Sequence, residues 1–300
     1  MHRKFAAIIV AMIMIGVLSS CSSNSNSGST DTSGKIKVMV SINPLKEFVE
    51  AIGKDKVEVQ MIVPEGMEPH DFEPRAKDIE AIGNAKVFVY NGLGMENWVD
   101  RVLGSIDNRK LIVVDSSKGV SLIKASGDED HDAFDPHIWL SLKEAKVQAG
   151  NIKDALIKAD GANRDFYESN YNAFASQLDS LYNEYREKFD KVTNKKFVTG
   201  HAAFAYLCRD FGLEQNSVEN VFAEGEPSAK KLKELVEYAK NNNVKTIFSE
   251  SMASPKVSET LAREIGAKVE KIYTIESRED GKDYLESMRY NLEKIYNSLK

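Results

Sequence analysis

The segment Arg164–Val192 reads RDFYESNYNAFASQLDSLYNEYREKFDKV. Its apolar residues Tyr167, Tyr171, Phe174, Leu178, Leu181, Tyr185 and Phe189 recur at steps of three and four, which is one stripe along a helix. At ~1.5 Å per residue such a helix extends about 40 Å. That reaches the height of two stacked domains; the alternative is a helix packed along one. The pattern on either side of it decides the architecture.

On the N-terminal side β and α signals alternate. Lys35–Val40, Val57–Val63, Lys86–Tyr90 and Leu111–Val114 read as strands. Between them Leu45–Ile52, Arg75–Ile82 and Glu96–Leu103 read as helices, the first ending before Gly53 and the second at Gly83-Asn84. Lys86–Tyr90 is nearly all apolar, as strands buried on both faces are. Ser141 with Glu144 three residues on is a capping-box pattern that opens a further helix, which breaks at Asp160-Gly161. On the C-terminal side the alternation resumes. Lys196–Thr199, Val244–Ser249 and Val269–Tyr273 are expected as strands, and Ala202–Phe211, Ser228–Lys240, Pro255 to Gly266 and Tyr284–Leu299 as helices. Ser254-Pro255 is an N-cap followed by proline in the first turn. Strand–helix–strand repetition implies parallel sheets with helices on both faces. The expected fold is therefore α/β, with two α/β lobes joined by one long bridging helix. The boundaries fall at 35–159 for the first lobe, 160–193 for the bridge and 194–300 for the second lobe. No internal sequence repeat is evident.

The first residues belong to targeting. A basic start (His2, Arg3, Lys4), an apolar run from Phe5 to Leu18, and Leu18-Ser19-Ser20-Cys21 form a secretory signal over 1–20. The run is too short to span a membrane, which takes ~20 apolar residues. The Leu-Ser-Ser-Cys ending resembles a bacterial lipobox, which implies acylation of Cys21 and lipid anchoring outside the cytoplasm. Ser22–Gly34 is almost entirely Ser, Asn, Gly, Thr and Asp, a composition that buries no core and serves as a tether. The other cysteine of the chain, Cys208, sits in the apolar stretch Phe204, Leu207, Phe211 and reads as a buried thiol.

The 300-residue chain has a net charge of −6, which argues against a nucleic-acid partner and is compatible with cation binding. Histidine is scarce: five in all, of which His2 leaves with the signal. His70 follows the second strand and His201 follows the strand ending at Thr199. Loops at the carboxyl ends of strands line the binding crevice of open α/β sheets, so each lobe offers one histidine to a common cleft. His137, in Asp135-Pro136-His137-Ile138-Trp139, precedes the capped helix between the lobes. The expectation is that these three converge.

Six segments in order resemble the solute-binding proteins of bacterial zinc and manganese ABC importers, over essentially the whole mature length. They are Glu68-Pro-His-Asp-Phe-Glu-Pro74, Val89-Tyr-Asn-Gly92, Asp135-Pro-His-Ile-Trp-Leu140, Gly200-His-Ala-Ala-Phe-Ala-Tyr206, Glu226-Pro-Ser228 and Ala262-Arg-Glu-Ile-Gly266. The resemblance implies metal binding by His70, His137 and His201. It also implies a rigid bridging helix, a metal site in the cleft between the lobes, and Zn(II) as transported ligand. Implied partners are a membrane permease and its ATPase; the binding protein is a monomer and not an enzyme. In the family the fourth ligand is a carboxylate, or water, from a late loop of the second lobe. Here that loop is Tyr273–Ser277 and Glu276 is the choice, with Asp280, Glu250, Glu68 and water as competitors. Many relatives carry aspartate there. Three imidazoles and a carboxylate suit tetrahedral zinc; manganese-type relatives carry fewer histidines. Zinc relatives often have a long histidine-rich loop before Asp-Pro-His, whereas Gly127–Asp135 is short and acidic and holds only His131. Other readings are a manganese or iron carrier, a metal-dependent surface adhesin, or a zinc hydrolase. The last lacks both His-Glu-x-x-His and Gly-x-Ser-x-Gly.

Overall fold

The computed structural model describes residues 34–125, 133–221, 227–250 and 255–300. Lys35–Lys300 forms one compact unit. Its first sheet contains β1 (Ile36–Val40), β2 (Val57–Met61), β3 (Val87–Tyr90) and β4 (Ile112–Asp115), all parallel, in the order β2-β1-β3-β4. The connecting helices are α1 (Asn43–Gly53), α2 (Ala76–Gly83) and α3 (Val99–Ser105). After α4 (Leu142–Ala159) and α5 (Arg164–Phe189), the second sheet is built from β5 (Lys196–Thr199), β6 (Glu214–Ser217), β7 (Thr246–Ser249) and β8 (Lys268–Lys271). It too is parallel, in the order β6-β5-β7-β8, so both lobes share one topology although no sequence repeat betrays it. Its helices are α6 (Ala205–Phe211), α7 (Ala229–Asn241), α8 (Pro255–Ile265) and α9 (Tyr284–Ser298).

The bridging helix buries the face its periodicity marks: Tyr167, Phe174, Leu178, Leu181, Tyr185 and Phe189. Tyr171 on the same stripe is only half-buried. Its first half packs on α1, where Phe174 meets Phe48 at 5.6 Å. Its last turn packs on the second lobe, where Phe189 meets Phe211 at 5.2 Å and Tyr296 at 5.9 Å. One hydrophobic core runs through both lobes along this helix, from Val38 and Phe88 to Phe197, Phe248 and Ile272. A smaller one, around Val198, Leu235, Ile247 and Leu261, lies under α7 and α8.

Several local readings differ from the sequence pattern. The helix expected from Glu96 starts at Val99, because the Glu96 carboxylate is taken up by the backbone N–H groups of Asn91 (2.8 Å) and Gly92 (3.0 Å). The Ser141 box is half made. Its hydroxyl accepts from the Glu144 N–H at 3.1 Å, while the Glu144 carboxylate turns to Arg209. β6 has no counterpart in the pattern, because Glu214-Gln215-Asn216-Ser217 is a polar edge strand. Ser254, expected as an N-cap, lies outside the described residues.

Candidate metal centre

The site is assembled from loops at the carboxyl ends of strands, the ligand-binding edge of parallel α/β sheets. Beyond β2 the chain turns at Gly66, whose φ of +77° favours glycine, and brings His70 over the cleft. Directly beyond β5 stands His201, on the strand at which the second sheet's order reverses. His137 lies just ahead of α4 and is fully buried; His201 is 3 % exposed. The three rings meet edge to face, with centroids 5.4 Å (His70–His137), 6.0 Å (His70–His201) and 4.7 Å (His137–His201) apart. One nitrogen of each lies within 4.8 Å of the other two.

Glu276 joins them. Its Oε1 is 3.6 Å from His137 Nε2, and its Oε2 accepts from the Thr274 hydroxyl at 2.8 Å. The preceding residue, Ile275, has φ +64°, a left-handed conformation that a β-branched side chain adopts only under strain. This bend aims Glu276 into the cleft. Two backbone donors of the first lobe reach this loop: Asn43 N–H donates to the Glu276 carbonyl (3.4 Å) and Gly66 N–H to the Ser277 hydroxyl (2.8 Å).

Each ring is oriented by a partner behind it. His137 Nδ1 donates to Asp135 Oδ1 at 2.8 Å, which turns Nε2 toward the cleft. His201 Nε2 donates to the Val221 carbonyl at 2.8 Å, which places that ring's lone pair on Nδ1. His70 Nε2 and His137 Nε2 are 3.4 Å apart. Two nitrogens at ~2.0–2.1 Å from a tetrahedral zinc would be about 3.4 Å apart, so this edge already has the spacing of a zinc site. Burial pushes the His70 pKa down to about 3 and that of His201 to about 4, with the neighbouring His137 adding to both shifts. Burial also opposes charge on His137, but the carboxylates of Asp135 and Glu276 outweigh it and hold its pKa up at about 9. Burial works against the Glu276 carboxylate as well, yet the surrounding imidazoles keep it below the ordinary carboxylate range. Its Oε1 has no hydrogen-bond donor among the described residues. An ionised, buried oxygen beside three imidazole nitrogens is a donor set for a cation.

Residues 38–298 match the family model described as zinc-uptake complex component A, periplasmic. The chain belongs to this family. It is 38 % identical to the high-affinity zinc uptake system protein ZnuA of Bacillus subtilis, over all of this chain and 99 % of that protein. It is 32 % identical to the zinc-binding lipoprotein AdcA of Streptococcus pneumoniae, over 97 % of this chain but 60 % of that longer protein. Among solved structures it matches the laminin-binding protein Lmb of Streptococcus agalactiae. The TM-score is 0.83 at 36 % identity, over 89 % of this chain and all of that one, and the structure is described as a bifunctional protein with adhesin and metal transporting activity.

Within this zinc-uptake fold the competitors of Glu276 take different places. Asp280 accepts from Lys271 Nζ and the Tyr273 hydroxyl (2.5 Å), away from the imidazoles. Glu250 lies behind His201, accepting its backbone N–H at 3.2 Å, and burial raises its pKa to about 8. Glu68 stays in the cleft, half-buried, with Oε1 accepting the His70 N–H at 3.3 Å. Burial, then the charge of Glu276, raise its pKa. Cys208 is buried and its thiol pKa is pushed up by burial. Cys21, His131 and Glu226 lie outside the described residues. The sequence reading gave no role to Asp135, nor to Asn91, whose side chain donates to the Pro136 carbonyl at 2.8 Å. It also passed over Gln215, which donates to the His201 carbonyl at 2.7 Å. The Asp-Pro-His and Tyr-Asn-Gly segments were the available signals for the first two.

Proposed function

We propose that the protein captures Zn(II) outside the cytoplasm through His70, His137, His201 and Glu276 and hands it to an ABC importer, a membrane permease with its ATPase. The observation that carries this reading is the meeting of three imidazoles, those of His137 and His201 buried, and one ionised carboxylate from both lobes at zinc-like spacing. Family membership and the zinc-uptake names of full-length relatives support it. Three nitrogens and one oxygen fill a tetrahedral zinc, leaving no position for a hydrolytic water, so the site binds and releases rather than catalyses. Residues 1–20 act as signal peptide and Cys21 carries the lipid, with 22–34 as leash. Lobes at 35–159 and 194–300 flank the bridge at 160–193, and the protein works as a monomer.

The test is metal analysis of protein purified without added metal, followed by competition between zinc and manganese. One zinc per chain, displaced by manganese only at large excess, is the expected result; preferential manganese occupancy would replace zinc as cargo. A deletion strain should need excess zinc for growth. A strain that keeps normal zinc uptake and loses only surface attachment would instead favour the adhesin function named for the streptococcal relative.

A further inference from the structure

The cleft holds a second grouping of donors. Glu68, His70 and Glu276 each offer a ligand atom, and these atoms also lie within 4.8 Å of one another. The grouping shares His70 and Glu276 with the three-histidine centre, but its third member differs in kind and place. Glu68 stands in the loop of exposed residues Glu65, Gly66 and Met67, the last 45 % exposed, whereas His137 is sealed and His201 nearly so. The shared carboxylate is 3 % exposed, and its Oε1 has no hydrogen-bond donor among the described residues. Glu68 therefore stands on the outer side of a centre made of three imidazoles and one carboxylate, within reach of two of its members.

We infer that Glu68, His70 and Glu276 form an outer cation position, at which a divalent metal ion is first caught before it moves inward to His137 and His201. The inference rests on the reading of the inner centre as the zinc site. Because two ligands are common, the positions hold one ion between them. Transfer exchanges one carboxylate, Glu68, for two imidazoles, while His70 and Glu276 keep hold throughout. The ion need never return fully to water, whose reluctance to be displaced would otherwise slow burial. The two positions also differ in preference. Carboxylate oxygens suit manganese and magnesium as well as zinc, whereas imidazole favours zinc. The outer position accepts divalent ions broadly, and the exchange of Glu68 for His137 and His201 is where zinc is selected.

Two experiments on the full chain test this. In the first, zinc uptake from a fluorescent chelator is followed by stopped flow. Glu68→Gln should slow both uptake and release about tenfold, and Glu68→Asp should restore most of the rate; an unchanged uptake rate for Glu68→Gln overturns the proposal. In the second, His137→Ala/His201→Ala, checked for a cooperative thermal transition, should still bind one zinc weakly with its preference over manganese narrowed. Adding Glu68→Gln should cost at least a further tenfold. Residual binding indifferent to Glu68 overturns the outer position. So does a loss of equilibrium zinc affinity in Glu68→Gln as large as in His201→Ala, since Glu68 would then be an inner ligand. If the double variant does not fold, the kinetic experiment decides alone. Failure of the underlying reading looks different: zinc affinity would then be insensitive to His137→Ala and His201→Ala.

Discussion

His137 is the pivot of the centre. It is buried between two carboxylates, with Asp135 on Nδ1 and Glu276 before Nε2, and its raised pKa keeps it protonated at neutral pH in the metal-free protein. That proton occupies the direction a metal ion needs. Zinc binding must expel it, so affinity should fall about tenfold for each unit that pH drops below 9, while His70 and His201, neutral down to about 4, add no competition above that. Titration calorimetry between pH 6 and 8, in buffers of different ionisation enthalpy, should read about one proton released per zinc; an affinity independent of pH would sink this account. Asp135 fixes the tautomer, and losing such a partner typically costs 10–100-fold in metal affinity. Asp135→Asn should weaken zinc binding within that range without lowering the unfolding midpoint comparably, whereas His70→Ala, which removes a proposed ligand, should cost more than about 100-fold. The three histidines were legible because histidine is rare here and each stands beside a strand end or a helix start. Glu276 was legible only through family resemblance, since its direction depends on the strained Ile275 backbone, which no side-chain pattern records. Asp135 was hidden for another reason: acidic residues are too common for one to stand out.

At the scale of elements, the bridging helix could be read because burial on one side enforces a 3.6-residue period. Leu178 sits mid-stripe and is fully buried in the main core. Leu178→Ala should cost about 2–5 kcal/mol of stability, measured by chemical denaturation, while zinc affinity in the folded protein changes less than about threefold. A loss of affinity as large as that of a ligand variant would mean that the helix also positions the site. The polar strand β6 could not be read, because an edge strand is specified by pairing with its neighbour rather than by burying alternate side chains. Its consequence is functional. Gln215 on β6 donates to the Thr199 hydroxyl (2.5 Å) and the His201 carbonyl (2.7 Å) and accepts the Phe204 N–H (2.9 Å), so it fixes the turn that presents His201. The helix expected from Ala202 starts instead at Ala205, because residues 201–204 are spent on that turn.

For the whole molecule, the question is how far the lobes move when metal arrives. Proteins that close on ligand by a hinge have crossover strands that absorb large backbone changes. Here the crossing element is a 26-residue helix packed on both lobes, and one core continues through it. Polar clasps reinforce it beside the site. The Trp139 indole N–H donates to the Thr274 carbonyl (2.7 Å), the Tyr284 hydroxyl to the Trp139 carbonyl (2.6 Å), and the Tyr206 hydroxyl to the Asp135 carbonyl (2.8 Å). Each joins the His137 segment to the second lobe, and all three hydroxyl or indole donors lie on fully buried side chains. Opening the lobes as rigid bodies would strip these donors of their acceptors, at about 1–3 kcal/mol for each buried group left unpaired, and would part the core as well. The loop that carries His70 has no such depth of packing: Glu65, Gly66 and Met67 are exposed, and a hydrogen bond from the Gly66 N–H to the Ser277 hydroxyl joins it to the buried loop 273–277. Metal entry should therefore work through the His70 loop while the lobes stay fixed. Small-angle scattering of the metal-free and zinc-loaded protein should give radii of gyration within about 0.5 Å of each other, from a value near 18 Å expected for a folded unit of this size. Hydrogen exchange should in contrast slow on zinc binding in residues 64–70 and stay unchanged along the bridging helix. A change in radius well beyond that limit, or new protection along the helix, would show that the lobes rotate and that the shared core is not the brace described.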